Sequence, residues 1–228
     1  MRRREFIRTL PAMPAVVAVA CPRLAFAALS ESDAAQGVRA ALDRGVSSAV
    51  SLLGRQGGFL DNPKVRIPLP GALDEAAKVL KMVGQQSRVD DLVTAMNRAA
   101  EAAVPEGRAV LNDAVRSMSV EDARRIVTGS DTSVTEFFAR KTREPLTAKF
   151  LTIVTRATER VSLAQKYDAV AGKAAGMGLV KGDDADVRHY VTRKTLDGLY
   201  LMIGEEERRI RQDPIGTGSA ILKKVFGG

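Results

Sequence analysis

From Asp33 onward, apolar residues recur at spacings of three and four along most of the chain. Val38, Ala41, Leu42, Gly45, Ala49, Leu52 and Leu53 form one stripe. That spacing predicts an amphipathic helix, with Asp33 at its N-cap and Gly54 at its end. A glycine- and proline-rich stretch, GRQGGFLDNPKVRIPLPG at residues 54–71, interrupts the pattern. It reads as a loop with a short extended piece at residues 65–67. A second helix is predicted over 69–83, stopping at Gly84. A third follows Ser87, with Asp90 three residues on as a variant capping box. Val89, Leu92, Val93, Met96 and Ala100 share one of its faces. Pro105 fits the first turn of a further helix that runs to about residue 117.

The run MSVEDARRIVTGSDTSVTEFF, residues 118–138, concentrates acids and hydroxyls. Ser119 and Asp122 repeat the Ser-x-x-acid spacing, and Glu121 and Asp122 fall in a first helical turn, where the helix dipole favours negative charge. Gly129 suits a left-handed helix end. Asp131 or Ser133 is the expected cap of the next helix, with Glu136 three residues after Ser133. Pro145 is expected to break or restart that helix, after which helical spacing continues through residues 146–175. GKAAGMG, residues 172–178, reads as a helix end. In the last long helix Leu196, Leu199, Tyr200 and Ile203 lie on one face. GEEERRIRQDP follows. There Glu205 meets Arg208 and Arg209 at three and four residues, pairs worth about 0.2–0.5 kcal/mol each, as expected of a solvated charge run. Pro214 ends the helix, and ILKKVFG is an apolar tail able to dock as a helical turn. The expected architecture is all-α: one bundle-like domain of roughly eight to ten helices, with at most a short β-hairpin near 64–68.

The first 27 residues differ from the rest. MRRREFIRTLPAMPAVVAVACPRLAFA has a basic start, an apolar stretch over 10–20 and a small-x-small end at Ala25, Phe26 and Ala27. This predicts a signal peptide over 1–27, cut between Ala27 and Ala28, and a mature all-α domain over 28–228. Arg3, Arg4, Phe6, Ile7 and Arg8 follow the twin-arginine export pattern, with Ile and Arg where Leu and Lys are usual. AVAC at Cys21 loosely resembles a lipobox, although Ala18 and Pro22 depart from that pattern. No later run of about 18 apolar residues occurs, so no transmembrane span is expected in the mature chain. The expected location is the periplasm or cell envelope.

Composition narrows the chemistry. The 228 residues carry a formal charge of +8. The leader holds five arginines and one glutamate, so +4 of that charge lies there and +4 in the remainder. Those remaining charges are interspersed rather than clustered, so no nucleic-acid partner is expected. The single cysteine, Cys21, and single histidine, His189, exclude an internal disulfide and leave no Cys/His zinc set. No Gly-Lys-Ser/Thr follows either glycine-rich stretch, and no Ca²⁺ loop pattern is present. No metal or cofactor is expected. Aromatics are only 4 % and Trp is absent. Ala, Leu and Val must therefore fill the core, as in closely packed helices.

MNRAAEAAVP (residues 96–105), the 118–138 run, LDGLYLMIGEEERRIRQDP (196–214) and KKVFG (223–227), in that order, resemble the bacterial domain-of-unknown-function family numbered 4197. The resemblance spans residues 29–228. It implies a helical domain exported to the envelope, and it carries no activity. The candidate acids remain Glu101, Asp122 and Asp131. Asn97 and Glu101, four apart beside Arg98, share a helix face and read as an interhelical hydrogen-bond and ion-pair cluster. His189 reads as an exposed helix residue. The expected role is a non-enzymatic binding or structural module for an unidentified protein or a small apolar ligand. The alternatives are a carboxylate-based hydrolase and an envelope protein anchored by a lipid on Cys21.

Overall fold

The apolar stripes become eight helices in the computed structural model, which describes residues 29–117, 119–121, 123–176 and 187–227. They are α1 (Glu31–Leu53), α2 (Gly71–Met82), α3 (Gln86–Ser117), α4 (Ala123–Val127), α5 (Ser133–Arg160), α6 (Leu163–Gly176), α7 (Val187–Gln212) and α8 (Ala220–Phe226). No strand occurs among the described residues; residues 65–67 lie in an irregular connection rather than a hairpin. The predicted leader, including Arg3, Arg4, Phe6, Ile7, Arg8, Cys21, Ala27 and Ala28, lies outside the described residues, as does Asp122.

Helix α1 packs on α3, α4, α7 and α8, while α5 lies against both α3 and α7. Helix α6 covers α3 and α5, and α2 packs on α3 and α6. One continuous core results, in which Phe59, Phe138, Phe150, Leu42, Leu53 and Met96 are fully buried. The Phe138 and Tyr200 rings meet edge to face at 5.9 Å and 72°, the arrangement their quadrupoles favour. Gly107 lets α3 approach α5: a Cβ there would overlap the buried Phe150 ring.

Helix boundaries differ from expectation where prolines are concerned. Pro105 and Pro145 neither start nor break helices; each sits inside one, α3 and α5 respectively. An interior proline removes one hydrogen bond and costs about 3 kcal/mol. Both prolines are exposed, so their rings burden the solvent face. Meanwhile Val104 and Leu111 in α3, and Thr142, Leu146 and Phe150 in α5, continue the buried stripe through them. Packing of that stripe outweighs local propensity. The true break comes at Ser162, whose φ of 52° ends α5 and separates α6 from it, so residues 146–175 are two helices rather than one.

Candidate functional site

Asn97 and Glu101 project from one face of α3, and they hold a loop rather than a neighbouring helix. Asn97 is fully buried. Its Oδ1 accepts from the Ile67 N–H at 2.8 Å, and its Nδ2 donates to the Ile67 carbonyl at 2.9 Å and the Val93 carbonyl at 2.8 Å. One side-chain amide thus pairs both backbone groups of Ile67, while the Val65 and Arg66 N–H groups turn back to the Asn62 carbonyl, so the extended piece is satisfied without a second strand. One turn on, Glu101 Oε1 accepts the Phe59 and Leu60 N–H groups, each at 3.0 Å. Its Oε2 accepts from Arg98 at 2.6 Å. Phe59 is seated in the core as a result. Tyr190 closes the same loop from α7, donating its hydroxyl to the Pro68 carbonyl at 3.0 Å, and burial raises its pKa.

The acid-rich run of α7 is not a solvated face. Glu206 and Glu207 are 4 % and 2 % exposed. Glu207 reaches the start of α5: Oε1 accepts the Val134 N–H at 3.0 Å, and Oε2 accepts the Thr135 N–H at 2.8 Å and its hydroxyl at 2.7 Å. First-turn N–H groups have no intrahelical partner, and a buried carboxylate satisfies them while facing the positive end of the helix. Arg211 neutralises Glu207 at 2.8 Å and donates to the Val127 carbonyl at 2.6 Å. It thereby caps the end of α4 with the same charge pair. Glu206 takes Arg44 of α1 and Arg209, both at 2.8 Å. Glu205 pairs with Lys64 across the loop, not with Arg208 or Arg209.

The expected local caps are accordingly replaced. Ser30, not Asp33, caps α1: its hydroxyl oxygen accepts the Asp33 N–H. Asp33 sits in the first turn, where hydrogen bonds from Lys224 and then Ser30 hold its carboxyl below the usual range. Helix α3 begins one residue before Ser87, so Ser87 is inside it. Gly129 has no left-handed φ. Thr132 precedes α5 without a side-chain cap bond, and Ser133 instead turns its hydroxyl to the Ile126 carbonyl. Glu31 of α1 accepts the Ala123 N–H at 2.6 Å and serves the start of α4. Asp131 is exposed in the turn between α4 and α5, and no hydrogen bond joins it to Glu101. His189 is exposed on α7. No group of three or more His, Cys, Asp or Glu side chains able to hold a metal ion occurs among the described residues.

A cleft of about 570 Å³ opens where α5, α6 and the start of α7 meet. Leu163 and Val187 give it an apolar floor, while Thr155, Glu159, Tyr167 and Asp168 contribute polar groups. Its size and mixed wall suit a small amphiphilic molecule.

The blocks that carry the sequence pattern are now placed: the Asn97–Glu101 clamp, the α4–α5 junction and the α7 carboxylates are parts of one helical framework. A family profile described as a protein of unknown function matches residues 28–227. The chain belongs to the DUF4197 family. No curated protein and no solved structure matches it. Within this DUF4197 chain, Glu206, Glu207 and Arg211 are the polar residues that sequence reading passed over. A signal for Glu207 exists: the apolar stripe Leu196, Leu199, Tyr200, Ile203 continues at spacings of four and three through Glu207 to Ile210. An acid on a core stripe marks a buried charge that needs partners. Among the described residues, no helix is long and apolar enough to cross a membrane.

Proposed function

We propose that this DUF4197 chain is a non-catalytic helical binding module of the cell envelope, exported by the twin-arginine route, that takes a small amphiphile in the α5–α6–α7 cleft. The observation that carries this reading is the occupation of the buried carboxylates. Glu101, Glu206 and Glu207 are each held by backbone N–H groups, arginines or both. A general acid or base needs an oxygen open to its substrate. Glu101 presents a side chain only 5 % exposed. These acids act as struts, which leaves their oxygens closed to a substrate.

The test is mass spectrometry of the protein purified from its native envelope. The expected result is an N-terminus at Ala28 and a bound small amphiphile. Ala164, exposed on the cleft wall, provides the control: Ala164→Trp is expected to abolish co-purification and leave the melting temperature unchanged. A lipidated Cys21 at the N-terminus, or turnover of an ester or peptide lost on Glu101→Gln, would overturn the reading. The route is tested separately by changing Arg2, Arg3 and Arg4 together to Lys. Charge is retained, so a general secretory signal tolerates the change; the twin-arginine route is expected to lose periplasmic accumulation.

A further inference from the structure

Two carboxylates on the wall of the α5–α6–α7 cleft stand without partners. Glu159, near the end of α5, and Asp168, in α6, both line it. Both are exposed, and neither makes a side-chain hydrogen bond or an ion pair among the described residues. The cations beside Glu159 in sequence are committed elsewhere: Arg156 and Arg160 both reach Glu106 of α3, at 3.6 and 2.7 Å. Lys166 lies two residues before Asp168 and so on another side of α6. Arg188 is the one cation lining the cleft among the described residues, and it already has a partner of its own. Tyr167 stands on the same wall, and Leu163 and Val187 form the buried floor.

Resting on the reading of this cleft as the binding site, we infer that its occupant is a cationic amphiphile, with an alkyl chain on the Leu163–Val187 floor and an ammonium head at the Glu159 and Asp168 carboxylates. Single exposed acids are ordinary surface; the placement of these two is what selects a ligand. They come from two helices and line one cavity with an apolar floor, so a chain bound on that floor already holds its head near both. An ammonium is drawn by the opposite charge, and an aromatic ring such as Tyr167 adds to the attraction. An anionic head is repelled. A metal ion fits poorly, because Ca²⁺ takes about six to eight oxygens and no third acid joins this pair among the described residues. Exposed ion pairs are weak and salt-screened. The head therefore sets selectivity, while the apolar floor supplies most of the affinity.

The experiment is isothermal titration calorimetry of the purified full chain with three amphiphiles of one chain length, each below its micellar concentration: decyltrimethylammonium, decyl maltoside and decyl sulfate. The ammonium is expected to bind about fivefold more tightly than the maltoside, as two exposed ion pairs allow, and the sulfate more weakly than both. The preference should fade as salt rises. Glu159→Gln with Asp168→Asn should remove it and leave maltoside binding unchanged. Asp61→Asn with Asp90→Asn takes the same charge from exposed acids outside the cleft and should leave the preference intact. All four positions are exposed, so circular dichroism should match the parent. If Ala164→Trp abolishes maltoside binding but the three heads bind equally, or the preference survives the Glu159 and Asp168 changes, the cleft reading stands and this inference is overturned. If no decyl compound binds, or Ala164→Trp changes nothing, the cleft is not the site and both fall. Ca²⁺ binding that the Glu159 and Asp168 changes remove would also overturn the inference, by assigning the pair to a metal.

Discussion

Glu207 shows how much one side chain can organise here. Its two oxygens meet two backbone N–H groups, a hydroxyl and a guanidinium, all in a place only 2 % exposed. Removing one partner of a buried charge pair leaves the other uncompensated, at about 3–5 kcal/mol. Glu207→Ala should therefore lower the unfolding free energy by about that amount in a urea titration. Arg44→Ala is the contrast. Arg44 also bonds a buried glutamate, but its side chain is 43 % exposed, and Arg209 still pairs with Glu206. That change should cost less than about 1 kcal/mol. Asp33 gives a pH signature. Its carboxyl is held low by Lys224 and Ser30. A lowered folded-state value means its contribution is present above the unfolded carboxylate's value of about 4 and is lost as pH falls through the folded value. Lys224→Ala should move the Asp33 titration upward, as followed by carboxyl NMR.

At the scale of elements, the sequence exposed faces well and ends poorly. The α1 stripe and its stop at Gly54 are legible because 3.6-residue periodicity is local information. So is the docking tail, now α8, with Leu222 and Val225 buried. The caps are illegible for the opposite reason. Val134 is served from 73 residues away and Ala123 from 92, whereas a capping box is read over three or four positions. Of the candidate site, the shared helix face of Asn97 and Glu101 was visible, but the loop that each holds was not, because nothing in α3 says that a loop crosses it. The prolines misled because their penalty is local and the packing that outweighs it is not. Pro145 is exposed within α5, so Pro145→Ala should restore a helical hydrogen bond and raise stability by about 1–3 kcal/mol, read as an increase in the urea midpoint. Gly107→Ala should do the reverse. Its Cβ would press on the fully buried Phe150 ring, and overpacking costs about 1–3 kcal/mol.

The molecule closes by bringing its last helix onto its first described one. Helix α8 lies along α1, where Lys224 bonds Asp33 at 2.7 Å and Arg211 of α7 stacks on Phe226 at 5.0 Å. The contact is tightest at Gly37. A Cβ there would lie 2.6 Å from Val225 Cγ1 and 2.7 Å from Cγ2. Two opposed effects therefore meet at this position. Alanine in a helix interior gains about 1 kcal/mol over glycine, but overlap with a packed neighbour costs about 1–3 kcal/mol. Gly37→Ala alone should be neutral to destabilising. Val225→Ala alone removes two buried methyl groups and should cost about 2 kcal/mol. In the double variant most of the overlap disappears with those methyls, so the helix-propensity gain emerges and the new methyl fills part of the space. The double variant should be more stable than the two separate losses imply, with a coupling of about 0.5–3 kcal/mol, the range for residues in contact. Chemical denaturation of the four members of this cycle measures it. Strict additivity would mean that α8 does not seat against Gly37, and the closure of the domain by its C-terminal helix would have to be abandoned.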